Sequence, residues 1–189
     1  MSELQIESID GSKLDKFNYY GDFVQLPIFL MVDFLYLAKY AQLDSSVLCL
    51  FIAGILFYGA LLEYGFHRFL YHGKLKQIKK LHLIHHKLPQ SYVSSPPYVT
   101  TVLLLIFYII FTALLGNKLG CAFVAGITFG YLWYISIHHL IHHAAPSESK
   151  FLNHFKEEHQ KHHDHAKLNY CVSQPFWNTF YRTLGKYHR

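Results

Sequence analysis

Charge is scarce in this chain. Only 15% of its 189 residues are Asp, Glu, Lys or Arg, against about 25% in a typical soluble domain. Hydrophobic residues make up 52% and aromatics 17%, so there is too little polar surface to cover a water-soluble globule and far too much apolar surface for a disordered chain. Cysteine is also sparse. Cys49, Cys121 and Cys171 stand alone with no CxxC pair, which argues against a disulfide framework, a zinc ribbon and a cysteine-ligated iron–sulfur cluster. No His-Glu-x-x-His, Gly-x-Ser-x-Gly or Walker loop occurs, so a zincin protease, a serine-hydrolase elbow and a P-loop nucleotidase lack support. Residues 1–22 are polar and of mixed charge, without the basic, apolar and small-residue order of a cleaved signal peptide.

What the chain does have is long apolar stretches. Ser45 to Leu62, Leu88 to Asn117 and Leu119 to Ile137 contain no Asp, Glu, Lys or Arg. Each is long enough to approach the roughly 20 residues that cross a bilayer. Phe23 to Leu43 is a fourth candidate, interrupted by Asp33 and Lys39; a mid-span charge costs about 2.5–3.5 kcal/mol, so the segment either spans with those groups shielded or lies as an interfacial helix. Gly116-Asn117-Lys118-Leu119-Gly120 reads as a tight turn between two antiparallel spans, and Pro96-Pro97 as the start of the first of them. The expected fold is all-α: a multi-pass helical membrane protein of about four segments, with a polar segment at 1–22 and one domain over 23–189.

The second abundance is histidine, fifteen in all. Twelve lie in four groups: His67 and His72; His82, His85 and His86; His138, His139, His142 and His143; His159, His162 and His163. The order of spans brings all four groups out on one side of the membrane. Lys and Arg follow them, from Arg68 to Lys87 and from Lys150 onward, while the far turns offer only Lys118. By the positive-inside rule the histidine face is cytoplasmic. The net charge of +5 therefore reflects topology. Nucleic-acid binding, which wants a basic stripe with exposed aromatics, is rejected.

Residues three and four apart share a helix face, so each His-x-x-His-His presents its first imidazole beside the other two. His138 and His142 pair by the same rule, with His139 and His143 repeating the spacing one residue on. His67 and His72, five apart, require a bend or a helix end between them. One residue per position leaves ten candidate ligands: His67, His72, His82, His85, His86, His138, His142, His159, His162 and His163. Ten nitrogens suit two metals with about five each, and neutral imidazole prefers Fe, Zn, Cu or Ni to Mg or Ca. Nearby carboxylates are few (Glu63, Glu157, Glu158 and Asp164), unlike the Glu-x-x-His of soluble di-iron bundles. His154, His165 and His188 fit no pattern and read as surface or supporting residues. A histidine-rich metal-buffering membrane protein is the non-enzymatic alternative. A transporter would place its ligands near mid-span.

Glu63-Tyr-Gly-Phe-His67-Arg-Phe-Leu-Tyr-His72, His82-x-x-His85-His86, Leu88-Pro89 and Pro96-Pro97 resemble the membrane fatty acid hydroxylase and sterol desaturase superfamily. The resemblance is to its fatty acid 2-hydroxylase branch. The run from His159 through Asn169-Tyr-Cys-Val-Ser-Gln-Pro-Phe-Trp-Asn178 is similar to that branch's ending. The likeness covers roughly residues 45 to 185. Sterol desaturases usually open with a histidine pair one residue closer, and carotenoid hydroxylases with a shorter link than Gly73–Leu81. Departures are Cys171 and Arg182, where the family commonly has glycine, and Asn178, where it has aspartate.

The resemblance implies two iron ions, with zinc a substitute in preparations, and O2-dependent hydroxylation of a lipid acyl chain. No catalytic residues beyond the metal ligands are expected. Carotenoid or sterol hydroxylation or desaturation is the alternative within the superfamily. It further implies one metal on His67, His72, His82, His86 and His162, and the other on His85, His138, His142, His159 and His163, with Glu63 orienting a ligand imidazole or anchoring a helix end. Partners would be a membrane lipid, O2 and a separate electron donor such as cytochrome b5 or ferredoxin with its reductase, because the chain has no flavin, haem or cluster motif and no room for a fused cytochrome b5. The setting would be the inner membrane of a bacterium or the endoplasmic reticulum of a eukaryote.

Overall fold

A computed structural model describes residues 16–145 and 149–185. Residues 1–15 of the polar N-terminal segment and His188 lie outside the described residues. Every regular element described is helical: α1 (Lys16–Tyr40), α2 (Ser45–Phe57) continuing through wide π turns at Tyr58–Glu63 and Phe66–Tyr71, α3 (Lys76–Lys87), α4 (Pro97–His143), α5 (Lys150–Asp164) and the short α6 (Phe176–Phe180). Among the described residues three apolar helices are long enough to cross a membrane: Lys16–Tyr40, Ser45–Tyr71 and Pro97–His143.

α1 starts at Lys16, inside the polar segment, and buries a stripe of Asp22, Leu26, Leu30, Asp33 and Leu37. Two of those five are acids, and each is met by hydroxyls. Asp22 accepts from Thr100 at 3.0 Å and Tyr131 at 2.7 Å; Asp33 accepts from Tyr108 at 2.5 Å. The mid-span charge is thus shielded, because a polar group in hydrocarbon must find its partner in the protein. Lys39 sits in the last turn, exposed. On the outer side Val24, Ile28, Met31, Phe34 and Leu35 are bare, as a lipid-facing surface would be.

α4 is not one 47-residue rod. Gly116 adopts φ 77°, ψ 163° and reverses the chain. Along a continuous helix residues 108 and 121 would stand about 20 Å apart at 1.5 Å per residue, yet the Tyr108 hydroxyl lies 3.0 Å from Cys121 Sγ and the Phe111 and Phe123 rings 4.4 Å apart. The turn expected over Gly116–Gly120 is made at Gly116 alone, whose positive φ only glycine adopts freely; Asn117 onward is already helical. The second arm packs on α2 through Gly54 and Gly126. A Cβ at Gly54 would meet the Phe123 carbonyl, and one at Gly126 the Phe51 carbonyl. Small residues let the two backbones touch, the usual device where apolar burial alone does not drive helices together.

Asp44 caps α2, accepting from the Val47 amide at 3.1 Å, and pairs with Lys118 at 2.7 Å. This exposed pair ties the α1–α2 loop to the Gly116 turn at the end of the bundle away from the histidines.

Candidate metal centre

The four histidine groups meet at one end of the bundle. The His67/His72 spacing is solved by the backbone. In the π turn Phe66–Tyr71 the His72 amide bonds to the His67 carbonyl at 3.1 Å, and an i→i+5 bond brings residues five apart onto one face. Their rings stack at 5.3 Å. A wide turn ending at His72 does the work expected of a bend.

α3 divides its three histidines between two sites, and α5 does the same with three of its four. His82 and His86 face one way and His85 the other; His162 faces the first site, and His159 and His163 the second. His67, His72, His82, His86 and His162 form one group that could hold a metal, and His85, His138, His142 and His159 another. In the first, Nε2–Nε2 separations are 3.0 Å for His67–His82, His72–His82, His72–His162 and His82–His86, and 3.1 Å for His86–His162. In the second, His142–His159 is 2.9 Å and His159–His163 is 3.0 Å. His163 therefore joins the second group at its edge, while its ring stacks on His86 at 4.4 Å.

These nitrogens are aimed at one another. His67 Nδ1 donates to the Tyr170 carbonyl at 2.5 Å and His162 Nδ1 to the Leu168 carbonyl at 2.6 Å, which leaves the lone pair of each ring on Nε2. Burial, reinforced by the Lys79 ammonium and the His163 ring, holds His72 at about 4. Burial likewise holds His86 and His162 at about 3, and His82, His85 and His159 well below the ordinary 6.5. The imidazoles are neutral, the state that binds a metal. Buried His85 Nε2 has no protein partner.

The spacing also fits a metal. With metal–nitrogen bonds of about 2.1 Å, adjacent nitrogens of an octahedral shell lie about 3.0 Å apart and those of a tetrahedral one about 3.4 Å. The observed edges match the first.

Glu63 does not orient a ligand imidazole. Its buried carboxylate accepts from the Val172 amide at 2.5 Å, the Ser173 amide at 2.8 Å and the Ser173 hydroxyl at 2.5 Å, so it anchors the chain's last segment. The orienting groups are instead the Leu168 and Tyr170 carbonyls, which sequence reasoning missed because a backbone carbonyl leaves no signature. The one available hint was Asn169 between them, with φ 50°, a conformation asparagine tolerates. Its side chain holds the loop through the Glu158 carbonyl and carboxylate, both at 3.0 Å, and the Gly185 amide at 2.8 Å. Glu157, Glu158 and Asp164 stay out of both groups. Glu158 pairs with Lys161, and Asp164 accepts from Gln160.

The structure also separates His138/His142 from the pair one residue on. His139 and His143 turn to an aromatic collar: the Tyr19 hydroxyl lies 3.0 Å from His139 Nδ1, and His143 stacks on Tyr92 at 5.3 Å. His154 and His165 are exposed. A cavity of about 620 Å³, lined by Lys87, Gln90, Ser91, Tyr92 and Ile141 among others, reaches His142 of the second group.

Comparison with known proteins places this arrangement. The family described as fatty acid hydroxylase matches residues 51–183. Mouse (Mus musculus) fatty acid 2-hydroxylase is 31% identical over 152 residues, covering 75% of this chain and 41% of that protein. An Arabidopsis thaliana dihydroceramide fatty acyl 2-hydroxylase is 34% identical over 133 residues, covering 66% and 56%. The chain thus spans about half the length of the curated relatives it matches. Among solved structures, full-length scs7p, of which only the hydroxylase domain is visible, superposes with a TM-score of 0.75 at 26% identity over 94% of this chain and 72% of that one.

Proposed function

This chain belongs to the fatty acid hydroxylase family, and from that premise we propose that it hydroxylates the acyl chain of a membrane lipid beside its carbonyl carbon, at a centre of two irons. The observation that carries the reading is the pair of converging imidazole sets at the end of a bundle of apolar helices. His67, His72, His82, His86 and His162 would hold one iron, and His85, His138, His142, His159 and His163 the other. When bound, the irons would supply reductive activation of O2 and hydrogen abstraction from an unactivated C–H bond.

The chain's own residues do the rest. The Leu168 and Tyr170 carbonyls fix the His162 and His67 rings so that Nε2 points inward. All-nitrogen imidazole donors suit iron rather than magnesium or calcium. The apolar helices deliver the acyl chain laterally, and the site's place at their ends leaves an aqueous route for electrons and protons. Those electrons would come from a separate donor such as cytochrome b5 or ferredoxin with its reductase, for which Lys74, Lys76, Lys79 and Lys80 offer a basic dock. Two of the relatives are named for fatty acid and dihydroceramide acyl 2-hydroxylation, which makes a free or amide-linked fatty acyl chain the substrate class. The lysine asymmetry favours a histidine layer in the cytoplasm and four segments through 23–189.

Lipid mass spectrometry after expression in a host lacking the activity tests this. A gain of one oxygen on acyl chains, absent from the His85→Ala variant, is the expected result. A gain on carotenoids or sterols with acyl chains untouched would overturn the substrate class. Metal-loaded protein with no new product in any lipid class would overturn the enzyme reading.

A further inference from the structure

Residues 170–184 follow the histidine layer in sequence and contain a single charge, Arg182. They do not stay beside that layer. They run back along α2, and their contacts can be read as depth. The Tyr181 hydroxyl donates to the Ala60 carbonyl at 3.2 Å. Cys171 Sγ lies 3.6 Å from the Gly59 carbonyl, and Gln174 Nε2 donates to the Ile55 carbonyl at 3.0 Å. Asp44, in its exposed pair with Lys118, marks the water boundary at the far end of α2. Ile55 stands ten residues beyond Ser45, about 15 Å along the helix, which is half of a hydrocarbon layer of roughly 30 Å.

Irregular backbone survives at that depth only when its polar groups are satisfied by protein, and most of this segment's amides have such partners. The amides of Val172 and Ser173 go to Glu63. Asn178 clasps Cys171 from both sides, accepting from its amide at 2.9 Å and donating to its carbonyl at 2.7 Å. The Ser173 carbonyl accepts from the Trp133 indole at 3.2 Å. The amides of Trp177, Asn178, Tyr181, Arg182, Thr183 and Leu184 all bond within the segment. In return, its side chains cover carbonyls of the π turn. Gly59 makes this approach possible, since a Cβ there would strike the Gln174 amide.

The outward side is the reverse. Phe176 is 52% and Phe180 70% exposed, with Leu184 beside them, and the neighbouring surface of the span offers Leu56 and Leu61, also bare. Apolar surface continuous with a membrane-facing helix has one natural occupant. We propose that Tyr170–Leu184 is a re-entrant membrane element, its Phe176, Phe180 and Leu184 face in contact with lipid acyl chains and Arg182 reaching back to the headgroups along its stem. The loop carrying the Leu168 and Tyr170 carbonyls is the element's upper end, so bilayer packing bears on the support of His162 and His67.

Spin labelling of the full chain in phospholipid nanodiscs tests this. Nitroxides are placed singly at Phe176→Cys and Phe180→Cys in a Cys49→Ser background, where the two remaining thiols are buried. Ile109→Cys on a bare span surface and His165→Cys in the polar layer serve as controls. Collisional relaxation by O2, which concentrates in hydrocarbon, is compared with that by a water-soluble nickel chelate. At 176 and 180 the O2-to-nickel ratio should match position 109 and exceed position 165 several-fold. A ratio like that at 165 would place the segment in water and overturn the proposal. Shielding from both reagents would show a protein cover and overturn it equally. Both positions are exposed, and each ring gives up contacts only within the segment, to Trp177 and Tyr181.

Discussion

His67 Nδ1 and the Tyr170 carbonyl oxygen lie 2.5 Å apart across 103 positions of sequence. One end of that bond is a candidate ligand on the second long helix; the other belongs to a loop held by Glu63, Asn169 and Asn178. The bond selects the tautomer of His67 and aims its Nε2, so the outer supports of the site bear on metal binding although none of them touches the cluster.

Glu63→Ala should therefore reduce metal retention. Removing a buried carboxylate that accepts three hydrogen bonds should cost about 3 kcal/mol or more, and supports of metal ligands typically carry 10–100-fold in affinity. Thermal unfolding and metal content of the purified variant check this. Full metal at wild-type stability would mean the loop keeps its place without its anchor.

The two histidine groups should empty separately. Wild-type protein is expected to hold two ions per chain, His162→Ala and His85→Ala about one each, and His139→Ala two, because His139 faces Tyr19. Elemental analysis per chain decides it. Loss of metal in His139→Ala matching that in His85→Ala would break the assignment of the third pair.

Arg182 sits at φ 57°, a conformation that costs a residue with a Cβ about 1–2 kcal/mol. Arg182→Gly should raise stability by about 1 kcal/mol after the entropy of glycine is subtracted. A rise of a few degrees in the unfolding midpoint is the expected reading, and a fall would show that the Arg182 side chain contributes more than its backbone costs.

At the contact of α2 with the second arm of α4, Gly126→Leu should prevent a monodisperse fold, since the side chain would need the space of the Phe51 carbonyl. Gly65→Ala is the matched control, because a Cβ there meets nothing within 4 Å. Size-exclusion profiles of the two should differ clearly.

Topology is checked by labelling. Single cysteines at 75 and 118 should react from opposite sides of the membrane, as the Asp44–Lys118 pair lies at the end away from the histidines.

Much of the architecture was legible from hydropathy. The helical class, the apolar segments and the reversal near Gly116 rest on residue types that leave the chain few options: long runs with no charge, and a glycine where φ must be positive. Asp33 was legible only as a problem. Its solution, the Tyr108 hydroxyl, comes from a helix 75 residues away, and nothing local to either residue signals the pairing.

The sequence by itself determined which residues could make a metal site, because imidazoles at i, i+3 and i+4 must share a helix face and the order of spans sends every group to one side. How they divide was implied by the family resemblance and not by spacing, and tertiary structure alone decided the contacts behind it: which face of α3 and α5 meets which partner, that His139 and His143 meet the tyrosines, and that a π turn aligns His67 with His72. It also decided the role of Glu63, for which a ligand's support and a helix-end anchor both stood open and whose actual partners are the amides of Val172 and Ser173. The reason is physical. Local spacing fixes the angles between neighbours on one helix, whereas the rotation of one helix against another is set by long-range packing, by close glycine contacts and by backbone carbonyls that every residue carries alike.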